Sequence, residues 1–443
     1  MFNLSAKKLA TNTGWLLMEK VLRIFAALFV GIMVSRYLGP EKFGQLSYTI
    51  SLVTILAMLC HLGLEGLTVR HFVKFPESTQ ETFSTAILLK LFGAIFAYSV
   101  LLVFVFLTEQ VNSPSFWLLI VAGLYIFAEP ILVSCFWFES QVQGKYTAIA
   151  KTIGLLTVAI IKLGLIAAGA SVVVFGAAFA LEALLSAVAL VILIIKRSSL
   201  SYSAKFYNAG LAKTLMSQGW MVMFGAIFAA IYRKIDQTML MWMDSAAEVG
   251  IYAVGAQISE IWGFIPVAIV ASLFPSLIKM KDRDEKCYQQ RLQQIFDFLA
   301  LLSMGLAIVL SVIAEPLILL LFGEQYAGAG YVLQIHIWSC VFVFYRALFS
   351  KWIHIEQVLM FSLITQGIGA LANVALNLWL IPLYGALGAA WATLLSYGSA
   401  SFLCLVVHNK TRVVFWMMLK AFFVWPRLPW VARGFYQLIR AEK

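Results

Sequence analysis

Two stretches of this sequence resemble each other: GAAFALEALLS at residues 176–186 and GAAWATLLS at residues 388–396. Upstream of each lies a second matching pair, Lys42-Phe43-Gly44 and Glu248-Val249-Gly250, and each member is predicted to begin a helix after a tight turn. Residues 176 and 388 are 212 positions apart, and residues 44 and 250 are 206 apart. The sequence therefore predicts an internal duplication of about 200 residues, which is too long for the repeating unit of a solenoid.

The composition indicates the surrounding medium. Hydrophobic residues make up 62% of the 443 residues and charged residues 12%, and the mean hydropathy is +0.91. Soluble domains carry about 25% charged residues, so the chain is predicted to be an all-α integral membrane protein. Apolar runs long enough to cross a hydrocarbon core of about 30 Å recur along its whole length. They predict twelve transmembrane helices, near residues 13–38, 43–66, 84–107, 115–138, 146–168, 172–195, 214–242, 250–278, 295–314, 329–350, 359–381 and 386–407.

The duplication and the helix count together predict two six-helix bundles related as repeats. The expected divisions are an N-terminal bundle at 1–197, a cytoplasmic linker at 198–213, a C-terminal bundle at 214–408 and a basic, aromatic interfacial tail at 409–443. The predicted gaps between helices leave no room for a soluble domain. Transporters built from two parallel repeats place their site at the seam between the halves, and we expect the same arrangement here.

The basic residues predict the orientation in the membrane. With the amino terminus in the cytoplasm, the inner segments hold 23 of the 32 Lys and Arg residues, whereas the outer loops hold Lys42 alone against six acidic residues. This asymmetry follows the positive-inside rule and predicts an even number of spans with both termini cytoplasmic. The net charge of +11 then reflects this topology and predicts binding to anionic lipids. Nucleic acid is not an expected partner.

Eight basic residues fall inside predicted spans, where a central charge costs at least about 2.5–3.5 kcal/mol and is expected to face a cavity or a partner. Arg36, Lys90 and Arg346 lie near span ends, and snorkelling of the side chain to the interface accounts for them. The remaining five are the predicted substrate-binding residues: Arg23, Lys162, Arg233, Lys20 and Lys234.

Five acidic residues also fall inside spans and are candidates for binding a coupling ion: Glu129, Asp236, Glu260, Glu182 and Glu19. Glu19 and Arg23 are four residues apart and can pair on one helix face, as can Arg233 and Asp236 three apart. One interpretation is that such pairs only neutralise each other inside the bundle. The other is a water-filled cavity with a positive excess that attracts an anionic cargo, which the ratio of eight bases to five acids favours.

Signals for an enzyme are weak. No phosphate-binding loop is present, the histidines are scattered, and the cysteines have no metal-ligand spacing, so no cofactor or metal is expected. Asp282-Arg283-Asp284 has the DxD pattern of glycosyltransferases, but it lies in a short charged loop without a βαβ domain around it. A solvated loop is the favoured interpretation, and the chain is predicted to be a transporter.

Three stretches resemble a known family. RYLGPEKFGQLSYTISLVTILAMLCHLGLEGLTVRH (36–71) is similar to the first-loop signature of the polysaccharide exporter family. KIDQTMLMWMDSAAEVGIYAVGAQISEIWGFIPVAIVASLFPSL (234–277) resembles its seventh and eighth helices, and NVALNLWLIPLYGALGAAWATLLS (373–396) its eleventh and twelfth. Together they cover about a quarter of the chain. The resemblance is to Wzx-type O-antigen flippases of the multidrug/oligosaccharidyl-lipid/polysaccharide (MOP) exporter superfamily.

This resemblance implies a V-shaped alternating-access fold and a cargo, an undecaprenyl-pyrophosphate-linked oligosaccharide turned to the outer leaflet of a bacterial inner membrane. It also implies coupling to a proton or sodium gradient and a connection to polysaccharide polymerase machinery. By position, the counterparts of the family's charged cavity residues are Arg23, Glu129, Lys162, Arg233 and Asp236. Two alternatives stay open: a small-molecule multidrug or cation antiporter of the same fold, and a membrane glycosyltransferase or polymerase.

Overall fold

The computed structural model describes residues 6–424 and Arg427. Within these ranges the chain is helical, with short 3-10 segments and no β-strand. The chain divides into two compact units, one up to residue 241 and one from residue 242 onward. Of the predicted tail, the residues Trp425, Pro426, Pro429 and Trp430 lie outside the described part of the chain.

The first unit contains eight helices, of which the last ends two residues past the division. They are α1 (Ala6–His61), α2 (Leu64–Lys74), α3 (Thr79–Thr108), α4 (Pro114–Gly123), α5 (Val133–Ser140), α6 (Gly144–Ala167), α7 (Val172–Arg197) and α8 (Ala209–Met243). The long α1 is two helices that meet at Gly39, where φ is 72°. A glycine adopts this left-handed conformation without steric cost, and Pro40 then begins the second helix at a position where its missing N–H is tolerated.

The second unit contains α9 (Ala246–Glu260), α10 (Phe264–Arg283), α11 (Glu285–Phe322), α12 (Ala329–His336), α13 (Ser339–Ile355), α14 (Leu359–Ser401) and α15 (Asn409–Phe422). Like α1, α14 is two helices joined at a glycine with positive φ, which here is Gly385 with φ 55°. Ala386 begins the second half, and its backbone N–H donates to the Glu248 carboxylate with an N–O distance of 2.8 Å. A side chain of α9 therefore caps the helix after the break.

The number of helical segments agrees with the predicted twelve. Among the described residues, nine segments are long and apolar enough to cross a membrane. One of these, Met360–Val406, contains both halves of α14 and therefore counts as two helices. The two halves of α1 are not among the nine and add two more. Together these segments total twelve, in the order that the apolar runs predict. The chain is an all-α integral membrane protein.

The duplication is visible in the packing within each unit. In the first unit α4 packs against α3 and α7, and in the second unit its counterpart α12 packs against α11 and α14. Each repeat also has a broken fourth helix: the 3-10 segment Leu124–Leu132 separates α4 from α5, and a short interruption separates α12 from α13. The bundle boundaries expected at 197 and 214 stay a prediction; the observed division places most of α8 with the first unit.

Candidate functional site

The first unit contains a half-open cavity of about 300 Å³ whose walls come from both halves of α1 and from α6 and α7. Three charged side chains line it, Arg23, Lys162 and Glu182, and its other walls are apolar. The apolar lining consists of Ala26, Ala27, Val30, Gly31, Val34, Phe43, Leu46, Ile50, Leu155, Ala159, Phe175 and Phe179. The cavity therefore presents a few charged groups on a hydrophobic surface, as ligand sites commonly do.

Helical spacing brings these residues to one place. On α6 the lining residues Leu155, Ala159 and Lys162 follow one another at intervals of four and three, and on α7 Phe175, Phe179 and Glu182 do the same. Residues at such intervals share one face of a helix. On α1 the small residues that line the cavity leave the space that larger side chains would fill.

Glu182 connects the two cationic residues of the cavity. Its Oε1 accepts a hydrogen bond from Arg23 Nη1 at 3.1 Å, and its Oε2 lies 3.8 Å from Lys162 Nζ. On its other side, Arg23 Nε donates to Glu19 Oε1 at 2.8 Å, which is the intrahelical pair that the spacing of four predicts. The Glu182 and Lys162 side chains are each 22% exposed and that of Arg23 is 37% exposed, so the three are partly open to the cavity.

The expectation that the Lys90 side chain snorkels to the membrane interface is wrong. The side chain is 1% exposed and does not snorkel; Nζ lies 3.2 Å from Glu129 Oε2 and 5.4 Å from the ring centroid of Phe136. Glu129, for which the sequence indicates no local partner, is thus half of a buried ion pair between α3 and the 3-10 segment. A buried cation is tolerated in an apolar bundle when such a partner is present.

Arg346 in the second unit also differs from the snorkelling expectation. Its Nη1 donates to Thr365 Oγ1 at 2.8 Å and its Nη2 to Ser362 Oγ at 3.2 Å. Its guanidinium carbon lies 5.5 Å from the ring centroid of Phe349. The side chain is therefore held by α13 and α14 within the protein.

Tyr125 belongs to the polar groups of the first unit, and the sequence analysis did not identify it. It lies near Glu129, Arg23 and Glu182, and its ring stacks on Phe179 of the cavity wall with 4.8 Å between centroids. Tyr125 thus connects the Lys90–Glu129 pair to the cavity. A hydroxyl-bearing residue four positions before Glu129 in an apolar span is the signal that could have revealed it.

The other predicted site residues lie outside the cavity lining. Lys20 is exposed on α1, and on α8 Arg233 is exposed, Lys234 half-buried and Asp236 buried at 1%. Glu260 is exposed at the end of α9. Their roles, and the site expected at the seam between the bundles, stay predictions.

The second unit contains a buried cluster of uncharged polar groups that the sequence analysis also missed. Asn377 Nδ2 donates to Asn373 Oδ1 at 3.1 Å, and Asn373 Nδ2 donates to Ser396 Oγ at 3.3 Å, which connects the two halves of α14. Tyr252 of α9 shares a hydrogen bond with Thr393 across 3.0 Å between their oxygens. Asparagines one turn apart in an otherwise apolar span are the signal for this cluster.

The DxD pattern has a local structural role. Asp284 Oδ1 accepts hydrogen bonds from the backbone N–H groups of Lys286 and Cys287, so this residue caps the start of α11. In the described part of the chain, no group of three His, Cys, Asp or Glu side chains could hold a metal ion.

Solved structures with a similar fold are transporters. Lipid II flippase MurJ in an inward closed conformation superimposes with a TM-score of 0.71 at 14% identity, covering 94% of this chain and 91% of that one. An inward-facing multidrug resistance MATE transporter of the MOP superfamily gives 0.69 at 13% identity, with coverage of 90% and 94%. At such identities the likeness establishes the fold, which is the MOP type.

One of two sequence relatives supports a transporter rather than an enzyme. A probable flippase, AglR of Haloferax volcanii, is 29% identical over 184 residues, which are 39% of this chain and 37% of that protein. An uncharacterized membrane protein of Methanocaldococcus jannaschii, MJ1068, is matched over 38% of its length. The similarity thus spans well under two thirds of either relative. The family model for polysaccharide biosynthesis proteins matches residues 9–281, more than half of the sequence, and the chain belongs to that family.

Proposed function

We propose that this protein is a flippase for an undecaprenyl-pyrophosphate-linked oligosaccharide, such as an O-antigen repeat unit. It moves the cargo from the cytoplasmic to the periplasmic leaflet of a bacterial inner membrane, with both of its termini in the cytoplasm. The family membership and the MOP fold support this proposal. The observation that carries it is the pair Arg23 and Lys162 in a cavity formed by membrane-spanning helices.

The chemistry of this cargo explains the need for such a cavity. A diphosphate and several sugar hydroxyls lose many hydrogen bonds to water when they enter hydrocarbon. Guanidinium and ammonium donors replace part of that solvation with charge-assisted hydrogen bonds, while the prenyl chain is already soluble in lipid. Arg23 and Lys162 are the proposed diphosphate ligands, and Arg233, Lys20 and Lys234 are further substrate-binding candidates.

Coupling to a proton or sodium gradient is part of the proposal. Carboxylates in the membrane-spanning helices are the groups that can take up such an ion. The candidates are Glu129, Asp236, Glu260, Glu182 and Glu19. Polysaccharide polymerase machinery is the proposed partner that receives the flipped cargo.

The test uses the full-length protein in proteoliposomes that contain an undecaprenyl-pyrophosphate-linked oligosaccharide, with cargo in the far leaflet detected by a lectin. Arg23→Ala and Lys162→Ala are each expected to slow flipping at least about tenfold, since each removes a charge-assisted contact. The control Lys196→Ala changes an exposed lysine at the end of α7 and is expected to keep the wild-type rate. Wild-type flipping by the double variant would remove these residues from the site; no flipping by the wild type would refute the function.

A multidrug or cation antiporter is the second candidate, because the fold resembles a MATE transporter nearly as well as MurJ. Cationic drugs favour acidic and aromatic cavities, whereas the cavity of the first unit is lined by two cations and one carboxylate. Deleting the gene separates the two functions. Loss of surface polysaccharide with unchanged dye and drug sensitivity supports the flippase, and the opposite pattern supports the antiporter.

A further inference from the structure

The charged groups at the cavity of the first unit balance one another. Arg23 contacts two carboxylates, Glu19 through Nε and Glu182 through Nη1, and Lys162 shares Glu182 with it. Two cations thus face two anions. A diphosphate can therefore contact these cations fully only by displacing a carboxylate.

The two carboxylates are not equivalent. Glu19 is 8% exposed, lies on the same helix as Arg23 and does not line the cavity. Glu182 is on a different helix, lines the cavity, and contacts Arg23 and Lys162 together. An anion in the cavity therefore competes with Glu182 for both cations, while Glu19 can keep its bond to Arg23 Nε.

We propose that Glu182 is a resident counter-anion, which the phosphates of the cargo displace from Arg23 and Lys162 and which pairs with them again as the cargo leaves. This inference rests on the proposed function. In the empty carrier Glu182 keeps two cations inside the bilayer from being unpaired, which is otherwise costly. When the cargo is bound, the same carboxylate is the competitor that prevents the diphosphate from binding too tightly.

The charged and polar groups near Glu182 come from three other elements. The groups that face it are Arg23, paired with Glu19, from α1, Lys162 from α6, and Tyr125 from the 3-10 segment, behind which Glu129 is paired with Lys90. Replacing Glu182 by glutamine removes the competing charge and leaves the cations in place. The anion affinity of that variant is therefore expected to rise.

The binding experiment uses the full-length protein in nanodiscs and the probe P1,P2-dimethyl pyrophosphate. Each phosphorus of this compound carries one fixed negative charge, so the probe itself does not titrate near neutral pH. Glu182→Gln is expected to bind the probe about tenfold more tightly than the wild type, because the competing negative charge is gone. Glu182→Asp keeps that charge and is expected to bind the probe more weakly than Glu182→Gln. Glu109→Gln, which changes a carboxylate bonded to Ser115 away from the cavity, is expected to bind as the wild type does.

A transport measurement separates this role from a merely structural one. In the proteoliposome assay, Glu182→Gln is expected to reach half-maximal flipping at a lower cargo concentration but to turn over more slowly, because release and the return of the empty carrier are impaired. Unchanged or weaker probe binding by Glu182→Gln, or no probe binding by the wild type, overturns the counter-anion role even if flipping is normal. If the variant binds the probe more tightly but the wild-type protein flips no cargo, the proposed function is refuted and the anion-binding site with its counter-anion is still supported.

Discussion

The ion pair of Lys90 and Glu129 shows how the first unit tolerates charge in an apolar interior. Lys90 is almost completely buried, and its contacts are the Glu129 carboxylate, 3.2 Å away, and the face of the Phe136 ring. Removing one partner leaves the other buried and unpaired, which is far more costly than removing both. The pair is therefore expected to behave as a unit in mutagenesis.

Lys90→Met and Glu129→Gln are each expected to destabilise the protein by about 3–5 kcal/mol, the usual cost of breaking a buried ion pair. The double variant is expected to be less destabilised than the sum of the two, because no unpaired charge remains. Apparent melting temperatures in detergent, measured for the four members of the double-mutant cycle, test this. Additive losses would mean that the two side chains do not depend on each other.

At the scale of the helices, a glycine with positive φ breaks α1 at Gly39, and another breaks α14 at Gly385. Both glycines have positive φ, and both precede the start of a new helix. At Gly385 a Cβ atom would also lie 2.7 Å from Glu248 Oε2 and 2.9 Å from Asp244 Oδ2. A side chain at this position therefore strains the backbone and disturbs the carboxylate that caps the second half of α14.

Gly385→Ala is expected to lower stability by about 1–2 kcal/mol, the cost of left-handed backbone in a residue with a Cβ, before any displacement of Glu248. The matched control is Gly305→Ala in α11, where no heavy atom lies within 4 Å of the added Cβ. That change is expected to be neutral or to stabilise by up to about 1 kcal/mol, since alanine is the better helix former. Equal melting temperatures for the two variants would contradict the role given to the break.

At the scale of the whole molecule, the elements were predictable from the sequence and the pairing of side chains was not. Apolar runs and the repeated GAA stretches predict twelve helices and a duplication because both are local patterns. Glu182 contacts Arg23, which is 159 residues away in the sequence, and Lys90 contacts Glu129, which is 39 residues away. These contacts depend on how each helix is rotated against its neighbours. The spacing of four between Glu19 and Arg23 is local, and that pair was predicted.

The orientation of the whole chain can be tested with its own cysteines. Cys287 is exposed at the start of α11, whereas Cys60, Cys135, Cys340 and Cys404 are buried or half-buried. The basic residues around it, among them Lys281, Arg283 and Lys286, predict that this junction is cytoplasmic. A membrane-impermeant maleimide is therefore expected to label Cys287 in inverted membrane vesicles and not in right-side-out vesicles.

Two variants make this topology test decisive. Cys287→Ser is expected to abolish labelling in inverted vesicles, which shows that the signal comes from this residue. Val111→Cys, added to that background, places a thiol on an exposed position between α3 and α4, a segment predicted to face outward because it carries an acid and no base. It is expected to be labelled in right-side-out vesicles. Labelling of both positions from the same side would contradict the number of spans predicted between them. Labelling of Val111→Cys only in inverted vesicles and of Cys287 only in right-side-out vesicles would contradict the orientation.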